Sequence, residues 1–191
     1  KSLTRKIYVP VIGDIMATRW AYEALTVEQF KANRFEKPFF DYDMKLSQNE
    51  WNATFLIPML KVKVEECAVA GKNPDYRELS ENNFRKLDFH IRELTKTTGI
   101  KPGSWINELN YSGFNGITGD KAKIFLDSVR TTLRKEINTL TLARDSVYRM
   151  KAEQIGEGRF LRLRETDYND RLADFVLNRM ATNKIYESDR K

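Results

Sequence analysis

Between Thr118 and Ile155 the chain carries no proline and only Gly119 as glycine, while Leu126, Leu133, Leu140 and Val147 recur every seven residues with Val129 and Ile137 between them. Such a run reads as a single helix. At about 1.5 Å rise per residue it makes a rod of roughly 50 Å, longer than a compact domain of this size needs. A rod of that length needs an equally long partner to cover its stripe. From Phe40 through Met44, Trp51, Phe55, Met59, Val62 and Cys67 to Gly71 the apolar residues also keep helical spacing. The expectation is all-α: an elongated antiparallel helical bundle with two long helices, near 38–70 and 118–155. An intermolecular coiled coil is the competing use of the heptads, and packing within the chain is the simpler one. Pro58 should kink the first long helix, because it lacks the N–H that would bond Thr54 and crowds that carbonyl.

The remaining elements follow from punctuation. Residues 1–11 read as an extended lead-in ahead of Pro10, and a first helix is expected from Asp14, a candidate N-cap, to Asn33. Trp20, Ala24, Val27 and Phe30 form its expected buried stripe. Gly71-Lys72-Asn73-Pro74-Asp75 is a turn, with helix resuming near Ser80. Phe84, Leu87, Ile91 and Leu94 give that helix a clean stripe, which stops at Thr97-Thr98-Gly99. Residues 101–120 are the least regular, with Pro102, Gly103, Gly113, Gly116 and Gly119 set among Trp105, Tyr111 and Phe114. Those three aromatics are a candidate contact loop, and the alternative is that they anchor a long connection to the core. After Gly156-Glu157-Gly158 one more helix is expected from Arg159 to Met180, and a polar tail follows.

A length of 191 residues with 41% hydrophobic content supports one sizeable core, so a single domain over 1–191 is expected. No apolar run approaches the ~18 residues that a membrane span requires. The chain opens on Lys1 without a signal-peptide progression, and so reads as a piece excised from a longer polypeptide. Its formal charge of +6 comes from 33 basic and 27 acidic residues interspersed along every segment, which argues against nucleic acid as a partner.

Catalytic constellations are missing from the sequence. The single histidine, His90, has no second imidazole for a metal and no nucleophile elbow, and it reads as an edge-of-core residue. The single cysteine, Cys67, lies among valines and reads as a small buried hydrophobe. Gly113 to Lys121 fails the phosphate-loop spacing and has Ala122 where a hydroxyl is needed. Neighbouring carboxylates such as Glu65 and Glu66 point about 100° apart on a helix and do not converge. No catalytic residue, metal ligand or cofactor site is assigned.

One stretch carries more than periodicity. Arg19-Trp20-Ala21-Tyr22-Glu23-Ala24-Leu25, followed by Gln29-Phe30-Lys31-Ala32-Asn33, resembles the Arg-Tyr-Gly-(Phe/Tyr)-Glu signature in the last extracytoplasmic loop of G-subfamily ABC exporters. It is closer to the Arg-Trp-Ala-(Tyr/Phe)-Glu-Ala-Leu…Gln-Phe-Lys-x-Asn form of large Bacteroidetes transporters of that type. The resemblance covers Val9 to about Phe39. It implies a non-catalytic domain on the periplasmic side of the bacterial inner membrane, between two spans of an integral membrane protein. ATP and Mg would bind a separate cytoplasmic part of the parent, and no cofactor would bind this fragment. The implied partners are the transporter's own membrane spans and a homodimer mate. Arg19, Trp20, Tyr22, Glu23, Leu25, Phe30 and Asn33 carry the motif, and it implies that they form a junction with the membrane part. A free-standing helical adaptor that oligomerises through its long rod is the alternative.

Overall fold

The computed structural model of the protein describes residues 17–177, with the side chains of 17–19 and 175 outside the description. Among the described residues there is no strand, and the architecture is an all-α helical bundle. The helices are α1 (Ala17–Ala32), α2 (Phe40–Trp51), α3 (Ile57–Ala70), α4 (Arg77–Thr98), α5 (Gly116–Ile155), α6 (Glu157–Asp167) and α7 (Asp170–Leu177). The expected N-cap Asp14, the lead-in, Met180 and the tail lie outside the described residues. The chain was expected to form one domain; its backbone contacts group into two compact units, one of residues 17–41 and 146–177, the other of 42–145.

In the 42–145 unit, α2 and α3 are joined by a π-helical turn, Asn52–Leu56. Pro58 explains it. In an α-helix Pro58 would face the carbonyl of Thr54 with no N–H to offer. The wider turn, in which the Ile57 N–H bonds Asn52 O, keeps the chain helical past that point. The expected perturbation at Pro58 thus takes the form of one wide turn. Beyond it Ile57, Leu60, Val64 and Cys67 are buried.

Gly71 ends α3 at φ 55°, a backbone conformation that glycine tolerates best, and Asn73 caps the short 3₁₀ turn Pro74–Tyr76 by accepting from the Asp75 N–H. The chain then folds back as α4. Asn83 Nδ2 donates to Glu66, fixing an antiparallel α3–α4 hairpin. Phe84, Leu87, Ile91 and Leu94 are all buried, as their spacing predicts.

Helix α5 is 40 residues long, about 60 Å. Ion pairs give its register: Asp43 meets Arg144, Lys61 meets Asp127 and Glu65 meets Lys123, so positions rise along α2–α3 as they fall along α5. The two long helices run antiparallel, and Ala122, Leu126, Val129 and Leu133 fill the core between them. Asp43 is buried and accepts from Arg144 twice, at 2.7 and 3.2 Å. Asn115 caps α5 by accepting from the Thr118 N–H.

The expected single helix from Arg159 is corrected to two. It breaks at Tyr168, whose ψ is 129°, and Asn169 restarts it by accepting from the Leu172 N–H.

Candidate functional site

The motif residues lie on α1 and on the corner that follows it. Phe30 is fully buried, edge-on to Phe40 with ring centroids 6.1 Å apart and 6.4 Å from Tyr168, beside Ala173 and Leu177 of α7. Thr26 is also buried. Its hydroxyl donates to the Tyr22 carbonyl at 2.7 Å, which lets a polar side chain sit on the inner face without an unpaired group.

Asn33 builds the corner. Its Nδ2 donates to the Phe30 carbonyl at 2.7 Å, and its Oδ1 accepts from the Glu36 N–H at 2.6 Å. The backbone tightens around the same residue, with Lys37 N–H donating to Asn33 O at 3.0 Å. That turn delivers Phe35 and Phe39 into an aromatic cluster: Phe35 lies 5.4 Å from Phe160 and 5.5 Å from Tyr168, and Phe39 lies 6.0 Å from Tyr148. Tyr148 in turn packs edge-on against Phe160 at 4.7 Å.

The expected buried stripe of α1 is corrected here. Trp20 is 60% exposed and Val27 39%, Ala24 is exposed, and only Phe30 of the four is buried. The helix docks through Thr26 and Phe30, with Glu23 half-buried on the same side. It packs on α7, a helix of 8 residues that covers a narrow arc, so the inner face is not the most apolar one. Tyr22 and Leu25 are 68% and 67% exposed. The Arg19 backbone belongs to α1 and its side chain lies outside the described residues.

Two of the three loop aromatics are core residues. Trp105 is buried against Phe125 at 5.7 Å, and Phe114 against Phe84 at 5.1 Å. Tyr111 is half-buried, with the Arg77 guanidinium over its ring at 5.3 Å. It borders a cavity of about 170 Å³ next to Cys67. Burial pushes the Cys67 thiol up to about 11, far from a nucleophile's range. The neighbouring Glu66 carboxyl is held low by its hydrogen bond from Lys63, aided by Asn83. His90 is buried edge-on to Phe89 at 5.1 Å; its Nε2 has no hydrogen-bond partner, and burial pushes its pKa down.

Among the described residues no group of three or more His, Cys, Asp or Glu side chains can hold a metal ion, and no helix is long and apolar enough to cross a membrane. Comparison with protein-family models, with curated proteins and with solved structures finds no match to this chain.

Sequence reasoning missed Asn33 as a corner, Asn169 as a cap and the Asp43–Arg144 pair. The Asn side chain accepting from the N–H three residues on is a readable signal, as Asn33–Glu36 and Asn169–Leu172 both show. The ion pair joins residues 101 apart in sequence, and no local pattern announces it.

Proposed function

We propose that this chain is an extracytoplasmic, non-catalytic domain of an ABC-type exporter, on the periplasmic side of the inner membrane, with α1 as its junction to the membrane part. One observation carries the reading: Arg19-Trp20-Ala21-Tyr22-Glu23-Ala24-Leu25…Gln29-Phe30-Lys31-Ala32-Asn33 resembles the exporter motif. The way α1 uses that motif supports it. Phe30 and Asn33 tie the helix to its own unit, while Trp20, Tyr22 and Leu25 are exposed. In this role the domain caps the membrane exit or contacts substrate or a dimer mate, and ATP with Mg binds elsewhere in the parent.

The test is Glu23→Ala in the intact transporter. Glu23 is only half-buried, so the substitution should lower the melting temperature of the 191-residue chain by a few degrees at most while impairing export or assembly. Undiminished transport at normal expression would remove the junction role.

A second reading, a helical adaptor that assembles through its rod, is favoured by Ile117 and Ile124. They lie one heptad apart on the outer face of α5, 68% and 66% exposed. Roughly 20 apolar residues on either side of this stretch in the intact gene would decide for the exporter.

A further inference from the structure

Opposite the core stripe of Leu126 and Leu133, helix α5 carries a second seam. Ile117, Lys121, Ile124, Ser128, Thr131, Lys135, Asn138 and Leu142, all exposed, alternate at four and three residues. That alternation is the a/d spacing of a helix that packs lengthwise on another helix. At 100° per residue the eight fall within an arc of about 100°, roughly opposite Leu126, and span about 37 Å. Ile117, Ile124 and Leu142 are 68%, 66% and 67% exposed, and no carboxylate stands among the eight. The three aliphatic side chains offer roughly 350 Å², and with the five polar residues the seam approaches the about 800 Å² that each side of a standard interface buries.

A second copy fits this seam in one direction. Parallel helices in register would set Lys121 against the partner's Lys121 and Lys135 against the partner's Lys135, like charges that repel. Antiparallel helices with Ile117 over the partner's Leu142 avoid both clashes. Ile124 then lies on the stem of the partner's Lys135, Lys121 meets the partner's Asn138, and Ser128 meets the partner's Thr131, where small side chains let the helices approach. The same register brings Asp127 opposite the partner's Arg134, twice by symmetry. Both are exposed, on the flank of the seam where Asp127 also holds Lys61 of α3. We propose that the chain forms a two-fold dimer through this antiparallel α5 seam. The inference goes beyond the junction reading, uses no residue of the motif, and holds for an exporter domain and an adaptor alike.

Sedimentation equilibrium of the 191-residue chain, together with disulfide trapping, tests it. The expected result is a dimer that dissociates on dilution. Ile117→Asp spoils both ends of the seam by symmetry, and should weaken the dimer about tenfold or more at unchanged circular dichroism. The native Cys67 is buried, so Ile117→Cys and Leu142→Cys each carry one exposed thiol. Oxidised as a mixture, the two variants should cross-link to each other and neither to itself, because like positions lie about 37 Å apart in the antiparallel pair. A chain that stays monomeric up to its solubility limit overturns the proposal. So does a dimer that Ile117→Asp leaves intact, or self-cross-linking of either single variant, which marks parallel pairing. Transport lost in Glu23→Ala beside a monomeric chain would keep the junction and remove the dimer. A dimer beside normal transport in Glu23→Ala would do the reverse.

Discussion

Asn33→Ala separates the half of the motif that holds the fold from the half that faces out. The substitution removes two side-chain hydrogen bonds, to the Phe30 carbonyl at 2.7 Å and from the Glu36 N–H at 2.6 Å. Each is worth about 1 kcal/mol net, and the Phe30 carbonyl keeps only a long bond, at 3.4 Å, from the Asn33 N–H. The expected loss is therefore about 2 kcal/mol, and for a chain of this length the melting temperature should fall by about 4–8 °C. Thermal unfolding followed by far-ultraviolet circular dichroism measures it. Asn33→Asp keeps the acceptor for Glu36 but sets a carboxylate oxygen against the Phe30 carbonyl, so it should cost at least as much. Tyr22→Ser, on the exposed arc, should stay within about 0.5 kcal/mol of the parent. If Asn33→Ala melts within about 1 °C of the parent, the corner is held by packing of Phe35 and Phe39 alone and the hydrogen-bond argument fails.

Arg144→Met removes the two hydrogen bonds that Arg144 gives the buried Asp43 carboxylate and should destabilise the 42–145 unit by about 3–5 kcal/mol in urea titrations. Adding Asp43→Asn should recover a large part of that loss, and a double-mutant cycle with no coupling would show that the bidentate pair contributes nothing. For His90 the sign is set by burial, which lowers its folded pKa below the ordinary 6.5 and so favours the neutral ring in the fold. Its contribution is complete above the unfolded pKa and is lost as pH falls through 6.5 toward the lower folded value. Stability measured between about pH 8 and pH 5 should fall less steeply in His90→Gln than in the parent. An identical slope in both would assign the acid sensitivity to other groups.

The parts of the fold that were legible in the sequence are those in which one period dominates. The α4 stripe stands out because five of the seven positions between its four apolar residues are charged, Arg85, Lys86, Asp88, Arg92 and Glu93, which leaves one face for the core. The α5 run stands out because nothing in it can stop a helix after Gly119. On α1 the same method fails, since the segment 20–27 is apolar on several faces at once and spacing cannot say which of them α7 covers. The decision belongs to Thr26, whose polarity hides it from a hydrophobic scan and whose hydroxyl bonds its own helix. Asp167-Tyr168-Asn169-Asp170 was passed over for a related reason: the apolar spacing runs on through Tyr168 and Leu172, and the cap at Asn169 is visible only if the asparagine is weighed above the period. Within the motif, the residue types were legible and their division of labour was not. It depends on where a short helix more than 130 positions later touches the first one.

The other helices of the same molecule show how this chain treats a face meant for water. Along α4 the exposed side carries Arg77 paired to Glu81, Arg92 to Asp88 and Lys96 to Glu93, so its polar groups meet solvent and each other. Each such pair adds little stability, and Leu79 and Phe89 are exposed among them. On α1, Thr26, Phe30 and the Asn33 corner fix the helix to its unit, while Trp20, Tyr22 and Leu25 are exposed around it, Trp20 and Tyr22 about 160° apart. Exposed apolar side chains of this size recur at Val69, Ile117, Ile124 and Leu142, so exposure alone does not single out α1, and it is the order of residue types in the motif that does.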